Sequence, residues 1–366
     1  MQIGIPEERK TGEHRVAITP QGVKQLSDNG HTVQVAEQAG EGSGISDNEY
    51  EKAGATIVSQ DEAWNSDMVM KVKEPLEDEY HHLDDQILFT YLHLAAFPDL
   101  TDRLLETDVT AIAYETVETD DGTLPLLKPM SQVAGRMAPL MAAYFSTEHE
   151  GGSGTLPMGL PGVKPSKTVI IGGGTVGKNA AMVADTMGSN VTVIEIDQER
   201  MNYLEDHLGV DTRFSTETAI SEEVRDADVV VGAVLVPGNK APTVMTEQQV
   251  KTMPEGSVVV DVAIDQGGCV ATSEPTTHAD PVTKHHDVLH YAVTNMPGAY
   301  AKTATYGLTN ATLPYAVEIA NKGWKDACRD NSEIKNGLNV ANGTVTYEAV
   351  ADVFDKSYTP FNSLVQ

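Results

Sequence analysis

The sequence predicts an α/β protein built from two doubly wound domains with parallel sheets, joined by long helices across a cleft. Three observations lead to this fold class. The chain has 366 residues, a length at which two domains are the default. Short Val/Ile-rich runs alternate with helix-like stretches in both halves, as in parallel sheets covered by helices on both faces. Two longer helix-like stretches, 130–149 and 303–324, lie between and after the two sets of runs.

The predicted strands form two series. In the first half, helix-like stretches with a plausible N-cap or Pro start separate strands at 31–36, 55–58, 67–73, 86–93 and 109–115. In the second half the runs are nearly continuously apolar, as in strands buried on both faces, and cover 167–173, 190–196, 211–215, 228–235, 256–264 and 288–295. Pro314 lies inside the second long helix and predicts a kink or break there.

Composition excludes several classes of protein. The chain carries 54 acidic and 25 basic residues, for a net charge of −29, and such a surface repels a nucleic-acid backbone. The charged N-terminus does not resemble a signal peptide, and the longest apolar run, "MAPLMAAYF", is too short to span a membrane. The only cysteines, Cys269 and Cys328, suggest a reducing compartment. We therefore expect a cytoplasmic protein with no membrane or nucleic-acid partner.

The acidic residues are dispersed over structured segments and do not form a tail. One hypothesis is a halophilic protein in a salt-rich cytoplasm, where screening removes the self-repulsion of an acidic surface. The alternative is an ordinary acidic cytosolic protein.

A glycine loop in the second half predicts a Rossmann-like nucleotide-binding domain. Gly172, Gly174 and Gly177 fit G-x-G-x-x-G, with a predicted strand before them and a predicted helix after them. The first glycine allows the tight turn, the second lets the backbone approach a pyrophosphate, and the third lets the helix pack on the strand. The N-terminus of the helix then faces the phosphates.

An acidic residue ends the second strand of this unit. Glu195 there is placed to accept hydrogen bonds from ribose hydroxyls and to repel a 2′-phosphate, which favours NAD over NADP. Asp197 is the alternative acid, and the nearby Arg200 weakens the argument for strict NAD preference.

Polar residues at the predicted strand ends are candidates for a substrate site, because open parallel sheets bind ligands beyond the carboxyl ends of their strands. Lys73 and His93 come from the first unit, and Asp265 and Asn295 come from the second. A cleft between the units would collect all of them. His93 is suited to general acid–base catalysis because it titrates near neutrality.

Other residues compete for these roles or add to them. Arg15, after the first apolar run, is suited to bind a carboxylate through two parallel hydrogen bonds. Lys71 competes with Lys73, since alternation places both on one face of the predicted strand. Asp261 competes with Asp265 but is more typical of a buried structural acid. The pairs at 81–82 and 285–286 are interpreted as surface histidines, because neither has a convincing carboxylate or thiolate set around it.

With these residues assembled, the chain closely resembles the alanine dehydrogenases over essentially its full length. The resemblance is carried by the segments "IGIPEERKTGEHRVAITP", "KVKEP", "LFTYLHLAA", "AYETV", "LPLLKPMSQVAGR", "GAVLVPGNKAP", "DVAIDQGG" and "NMPGAYAKTATYGLTNAT". It implies the NAD-dependent interconversion of L-alanine with pyruvate and ammonia, through an iminium intermediate. It also implies a homo-oligomer, usually a hexamer, with a substrate domain formed by 1–129 and 305–366 around an NAD-binding domain at 130–304.

The resemblance implies roles for individual residues. His93 and Asp265 would be the catalytic acid–base pair, and the substrate would be bound by Arg15, Lys73, Met130 and Asn295. The cofactor would be contacted by Ser131, Gly172, Gly174, Thr175, Val176, Gly177, Glu195, Arg200, Val234, Leu235, Ile264, Val293 and Met296. Where some relatives pair a Glu with a His on the long C-terminal helix, this chain has Glu318 and Lys322, so no metal is expected.

Three other classes of protein compete with this interpretation. The soluble NAD-binding part of a proton-translocating transhydrogenase is disfavoured by the retained Arg15, Lys73, His93 and Asp265. A saccharopine- or lysine-type dehydrogenase is disfavoured by the "NMPGA" and "DVAIDQGG" segments. A NAD-sensing interaction protein is expected to lack catalytic residues.

Overall fold

The computed structural model describes residues 1–234 and 240–365. Contacts between Cα atoms divide the chain into two compact units. Unit 1 comprises Met1–Met130 and Tyr300–Gln366, and unit 2 comprises Ser131–Ala299. No described helix combines the length and apolar character needed to cross a bilayer.

The strands, in chain order, are β1 Gln2–Ile5, β2 Thr32–Ala36, β3 Thr56–Val58, β4 Met68–Met70, β5 Ile87–Thr90, β6 Thr110–Ala113, β7 Lys167–Ile171, β8 Asn190–Glu195, β9 Asp211–Phe214, β10 Val229–Gly232, β11 Val258–Asp261, β12 Val282–His285, β13 Val288–Tyr291, β14 Leu338–Ala341 and β15 Thr344–Val345.

The α-helices are α1 Pro20–Asp28, α2 Asp47–Ala53, α3 Gln60–Trp64, α4 Pro98–Leu105, α5 Lys128–Phe145, α6 Thr175–Thr186, α7 Gln198–Leu208, α8 Glu217–Val224, α9 Glu247–Val250, α10 Ala301–Lys322, α11 Trp324–Asp330, α12 Ser332–Gly337, α13 Glu348–Val353 and α14 Phe361–Leu364.

Both units contain a doubly wound sheet. Among the described residues, the order in unit 1 is β15-β14-β6-β5-β4-β1-β2-β3, and the order in unit 2 is β12-β13-β11-β10-β7-β8-β9. In each unit the second and third strands extend the sheet on one side of the first strand, and the fourth strand pairs on the other side of the first. This order is typical of Rossmann folds. The predicted α/β fold with two Rossmann-like units is therefore confirmed.

The sheets are mixed and not purely parallel. The pairs β14–β15, β14–β6 and β12–β13 are antiparallel, while the other pairs are parallel. Two-residue turns connect the two hairpins. Asn342 and Gly343 join β14 to β15, and His286 and Asp287 join β12 to β13, all with positive φ. Two consecutive residues with positive φ are what a type I′ hairpin turn requires.

Local sequence explains where several helices begin. Ser46 with Glu49, and Ser59 with Glu62, form capping boxes at the starts of α2 and α3. The expected break at Pro314 does not occur, because α10 is one helix from Ala301 to Lys322. The strands are also shorter than predicted. Because β4 ends at Met70, Lys71 and Lys73 lie beyond the strand, and their expected alternation within it is wrong.

Alternate side chains of the unit 2 strands pack in apolar clusters on the two opposite faces of the sheet, so both faces are buried. Val169 and Ile171 of β7 pack in one apolar cluster with Val230 and Val259. Ile170 packs in the cluster on the other face. This pattern matches the continuous Val/Ile runs of the sequence, and it leaves the loops beyond the carboxyl ends of the strands to carry function.

Candidate functional site

The carboxyl ends of the unit 1 strands carry the first group of predicted site residues. Arg15 follows β1, Lys73 follows β4 and His93 follows β5. The strand order reverses between β1 and β4, and open α/β sheets bind ligands at such a switch point. Residues far apart in sequence therefore follow strands that end at the same edge of the sheet.

Arg15 is a buried cation balanced by Glu13. Its side chain is 2% exposed, and its Nε and Nη2 atoms donate to the two carboxylate oxygens of Glu13 at 2.7 and 2.5 Å. Its Nη1 atom lies 2.9 Å from the sulfur of Met130, so two predicted substrate-binding residues are in contact. Burial opposes the charge, but the hydrogen bonding and charge of Glu13 outweigh it and raise the pKa of Arg15.

The environments of Lys71 and Lys73 differ. Lys71 is 1% exposed, and its Nζ lies 3.1 Å from Glu79 and 3.5 Å from Glu8. Burial opposes its charge, but both carboxylates favour it and the pKa of Lys71 is raised. Lys73 is half-buried, and Glu8 and Thr90 anchor its backbone. Lys71 is thus committed to a buried ion-pair network, which favours Lys73 as the substrate-binding lysine.

His93 is held in an unusual backbone conformation by Glu115. Its φ of 49° lies in the left-handed region, which is uncommon for a residue with a side chain. The Glu115 carboxylate accepts the backbone N–H groups of His93 at 2.5 Å and Leu92 at 3.1 Å. The ring of His93 is 41% exposed and stacks on buried Tyr91. The imidazole is therefore accessible, while the backbone that carries it is fixed.

The glycine loop of unit 2 has the geometry of a phosphate-binding turn. Gly172 has a φ of 99°, and a Cβ atom added to Gly177 would lie 1.8 Å from the Gly172 carbonyl oxygen. A Cβ atom added to Gly174 meets no atom within 4 Å. Packing does not require glycine there, so the space is consistent with a ligand approaching the N-terminus of α6.

Acidic and basic residues at the end of β8 contact this loop. The Glu195 carboxylate accepts the N–H of Gly173 at 2.6 Å, and the Arg200 Nε donates to the Gly173 carbonyl at 2.5 Å. Asp197 caps α7, because its side chain accepts the N–H groups of Glu199 and Arg200. Its capping role makes Asp197 the weaker of the two candidates for binding a ribose.

Asp265 and Asn295 lie together at the ends of β11 and β13. The Asp265 carboxylate accepts the Asn295 N–H at 3.0 Å, and Asn295 has a φ of 57°. The competing Asp261 is fully buried, and its carboxylate accepts the N–H groups of Ala263, Cys269 and Val270. Asp261 therefore fixes the loop that carries the exposed Asp265, and it is the structural acid that the sequence suggested.

The other predicted cofactor-binding residues lie along the same loops. Ser131, Thr175, Val176 and Val234 are half-buried, and Ile264, Val293 and Met296 are buried. Leu235 lies outside the described residues. Because His93 belongs to unit 1 and Asp265 to unit 2, their action as a pair stays a prediction.

Comparison with known proteins covers nearly the whole chain. Residues 4–134 match the N-terminal domain model of alanine dehydrogenase/PNT, and residues 138–348 match the C-terminal domain model. The alanine dehydrogenase of Bacillus subtilis (strain 168) is 52% identical over 100% of this chain and 98% of the relative. The chain belongs to the alanine dehydrogenase family.

Solved structures agree with this assignment. An L-alanine dehydrogenase structure superposes with a TM-score of 0.94 at 48% identity, covering 97% of this chain and 99% of that one. A transhydrogenase from Sinorhizobium meliloti superposes with a TM-score of 0.82 at 24% identity, covering 95% and 100% of the two chains. The second likeness shows a shared fold only. The family resemblance drawn from the sequence motifs is confirmed.

Sequence reasoning missed Glu13 and Glu115, which position two of the predicted site residues. The "AYETV" segment that contains Glu115 was recognised as typical of alanine dehydrogenases, yet no role was given to its acid. The signal for Glu13 is its position two residues before Arg15 in "GEHR". On α10, Glu318 and Lys322 form an ion pair of 3.0 Å, at the positions where some alanine dehydrogenases pair a Glu with a His.

Proposed function

We propose that this protein catalyses the NAD-dependent oxidative deamination of L-alanine to pyruvate and ammonia, and the reverse reductive amination. The observation that carries the proposal is the 52% sequence identity, over the full length of the chain, to an alanine dehydrogenase. The accessible His93, at the sheet edge that also carries Arg15 and Lys73, supports it. In the direction of deamination, L-alanine, NAD⁺ and water give pyruvate, ammonium, NADH and a proton.

The substrate carboxylate would be bound by Arg15, with Met130 against the guanidinium and Lys73 nearby. The pair with Glu13 keeps the guanidinium charged and in one orientation, and charge-assisted hydrogen bonds from it to a substrate carboxylate would be strong in a desolvated site. Lys73 would donate to the carbonyl oxygen of pyruvate. Asn295 would line the substrate and nicotinamide region.

NAD would be held by the 172–177 loop at its pyrophosphate and by Glu195 at its ribose. When bound, it supplies the hydride acceptor for the α-carbon of alanine, so that oxidation passes through an iminium intermediate of the substrate. The open space at Gly174 supports this position. Ser131, Arg200, Val234, Leu235, Ile264, Val293 and Met296 would complete the cofactor contacts.

His93 and Asp265 would move the protons. Hydration of the iminium to a carbinolamine, and its breakdown to pyruvate and ammonia, require proton transfers to and from water, oxygen and nitrogen. The imidazole of His93, whose side chain is 41% exposed, is accessible for such transfers. Asp265 would exchange the others, and which proton each group takes reverses with the direction of reaction.

The first experiment is NADH oxidation with pyruvate and ammonium, with NADPH measured in parallel. Ammonium-dependent oxidation of NADH supports the proposal, and tight NADH binding without turnover would favour a transhydrogenase-like or sensing protein. Variants H93A and D265A should lose turnover while NADH still binds by fluorescence. H149A, at a histidine that is 75% exposed, serves as the control, and near-wild-type activity in H93A or D265A removes that residue from the mechanism.

We also propose a homo-oligomer, hexameric as the family resemblance implies. The segment 156–163 of unit 2 exposes four apolar side chains, which a second copy would cover: Leu156, Met158, Leu160 and Val163 are 51–63% exposed. Light scattering of the purified protein tests this, and a monomer at micromolar concentration would contradict it.

A cytoplasmic, salt-adapted protein is the remaining part of the proposal. It is supported by the net charge of −29 and by Cys269 and Cys328, which are both free and buried. A reducing compartment keeps such thiols unpaired. Fractionation of the source cells, followed by activity measurements in KCl, tests both points.

A further inference from the structure

Two consecutive histidines lie beside an aspartate on the surface of unit 1. His81 and His82 end the 3₁₀ helix Glu77–His82, and Asp61 lies in α3. Their potential ligand atoms all lie within 4.8 Å of one another. Within residues 1–234 and 240–365, this is the one group of three or more His, Cys, Asp or Glu side chains that converges in this way. None of the three has a role in the proposed reaction.

The spacing within this Asp–His–His cluster suits an ion better than a direct hydrogen bond. The Nε2 atom of His82 lies 3.6 Å from the Oδ1 atom of Asp61, which is too long for a hydrogen bond. Two ligand atoms at adjacent corners of a tetrahedral zinc site, with bonds of about 2.0–2.2 Å, lie roughly 3.3–3.5 Å apart. A small movement of one side chain would therefore bring the two ligand atoms of Asp61 and His82 to the separation found in a zinc site.

One ligand of the cluster is already oriented. The ring of His82 stacks on the ring of Trp64, with centroids 5.3 Å apart and planes at 6°. The His82 carbonyl also accepts a hydrogen bond of 2.8 Å from Gln86. The side chain of Asp61 is 85% exposed, and His81 is exposed. The oriented imidazole lowers the entropic cost of binding an ion, while Asp61 and His81 would be ordered when the ion binds.

We propose that Asp61, His81 and His82 form a surface site for a borderline transition-metal ion such as Zn²⁺, with its remaining position open to water. Two imidazoles and one carboxylate are ligand types that Zn²⁺ takes, whereas Mg²⁺ and Ca²⁺ require oxygen ligands. Sequence spacing does not indicate this site, because the carboxylate comes from another helix. The pair 81–82 was expected to be surface histidines without a metal.

The ion would join α3 to the segment that carries the site lysines. Glu79, in the same 3₁₀ helix as the histidines, pairs with Lys71 at 3.1 Å, and Lys73 lies between them in sequence. Because the ligands converge only in the folded chain, binding should stabilise the protein. The proposed site is independent of the deamination chemistry, so its test does not depend on turnover.

The test is isothermal titration calorimetry on the tag-free, chelator-treated full-length protein, using ZnCl₂ and, in parallel, MgCl₂. We expect one Zn²⁺ per chain and no Mg²⁺ binding at the same concentrations. Variants D61N and H81Q should weaken Zn²⁺ binding by at least about tenfold. Saturating Zn²⁺ should raise the melting temperature of the wild type by a few degrees, and this rise should be lost in both variants.

The matched control is H286Q. His286 is a histidine with one carboxylate partner, Glu247, at 2.8 Å, so it reports what a single surface imidazole contributes. H286Q should bind Zn²⁺ like the wild type. The proposal is overturned by an unchanged affinity in D61N and H81Q, by an equal loss in H286Q, or by the absence of saturable binding up to about 1 mM Zn²⁺. Both diagnostic substitutions are at exposed side chains, and far-UV circular dichroism verifies their folding.

Discussion

The Glu115 carboxylate accepts the backbone N–H of His93 at 2.5 Å and lies 3.9 Å from the Nδ1 atom of the His93 ring. One acid therefore stabilises a left-handed backbone conformation and places a negative charge beside the imidazole that it orients. Left-handed conformations of residues with side chains persist only where neighbouring groups determine them. Glu115 is thus a positioning residue for His93.

Removing Glu115 should slow catalysis more than it weakens cofactor binding. E115A releases the backbone of His93, and a misplacement of about 1 Å at a reacting group costs on the order of 100-fold in rate. We expect kcat to fall by roughly 10- to 100-fold with an unchanged Kd for NADH. E115Q keeps an acceptor but not the charge, so comparing it with E115A separates support of the His93 backbone from the effect of the charge. The measurements are steady-state kinetics across pH and NADH fluorescence titration.

The control for this prediction is E106Q, at an acid whose side chain is 71% exposed at the end of α4. It should behave like the wild type. An E115A enzyme with wild-type kcat and pH profile would show that His93 needs no such support.

Two glycines of the loop should respond to alanine in opposite ways. In G177A the added Cβ would lie 1.8 Å from the Gly172 carbonyl oxygen, so the melting temperature should fall by several degrees. In G174A the added Cβ has open space, so the fold should persist, but the methyl group would occupy the space proposed for the pyrophosphate. Thermal denaturation and NADH titration of both variants separate the effects. A G174A protein with undiminished NADH affinity would argue against pyrophosphate binding there.

Substitution of Glu195 should weaken the preference of the enzyme for NADH over NADPH. The carboxylate repels a 2′-phosphate, whereas the amide of E195Q does not and can still accept the Gly173 N–H. We expect the ratio of kcat/KM for NADH to that for NADPH to fall by about tenfold, or roughly 1.4 kcal/mol. The control is E199Q, an exposed acid in the first turn of α7. An unchanged ratio in E195Q would transfer the ribose role to another residue.

The sequence locates candidate site residues where topology determines their position. Periodic Val/Ile runs identify parallel strands, and the carboxyl ends of those strands must share one edge of a sheet. Lys73, His93 and Asp265 were selected in this way, and their roles stay predictions. Glu115 was not selected, because a carboxylate that binds the backbone of a distant loop has no spacing rule to reveal it. Glu13 was missed although it lies two residues before Arg15, whose guanidinium donates to its carboxylate. Glu115 reaches His93 from the next strand, 22 residues away.

The two hairpins show a similar contrast. Asn342–Gly343 is a strong type I′ turn signal, so β14 and β15 were within reach of sequence reasoning. His286–Asp287 makes a turn of the same kind without a glycine, from residue types that adopt positive φ more often than other side-chain-bearing residues but less readily than glycine. The turn signal at that hairpin is therefore weaker, and the pairing of β12 with β13 completes what the local sequence only permits. Of the kink or break predicted at Pro314, the break does not occur, since α10 continues from Ala301 to Lys322.

Substitution of Lys71 should lower stability, whereas substitution of Lys73 should lower catalytic activity. K71M would leave Glu8 and Glu79 buried without their cation, a loss that typically costs about 3–5 kcal/mol, so the melting temperature should fall markedly. K73M should keep the fold but raise KM for pyruvate and lower kcat. Denaturant titration and steady-state kinetics on the two proteins make the comparison. The reverse outcome, a stable but inactive K71M and an active K73M, would assign the substrate role to Lys71.

Salt should stabilise this chain. With 54 acidic and 25 basic residues, folding brings like charges together, and the screening length falls from about 10 Å at 0.1 M to about 3 Å at 1 M salt. Surface ion pairs such as Lys24–Asp28 weaken on screening, but each contributes only about 0–1 kcal/mol. The net effect should therefore be a melting temperature that rises with KCl, and activity should rise with it. Thermal denaturation and NADH oxidation from 0.1 to about 3 M KCl test the balance, with choline chloride as a second screening salt. A melting temperature that falls steadily with both salts would mean that attractive ion pairs outweigh the repulsion, and the acidic composition would then be no adaptation to salt.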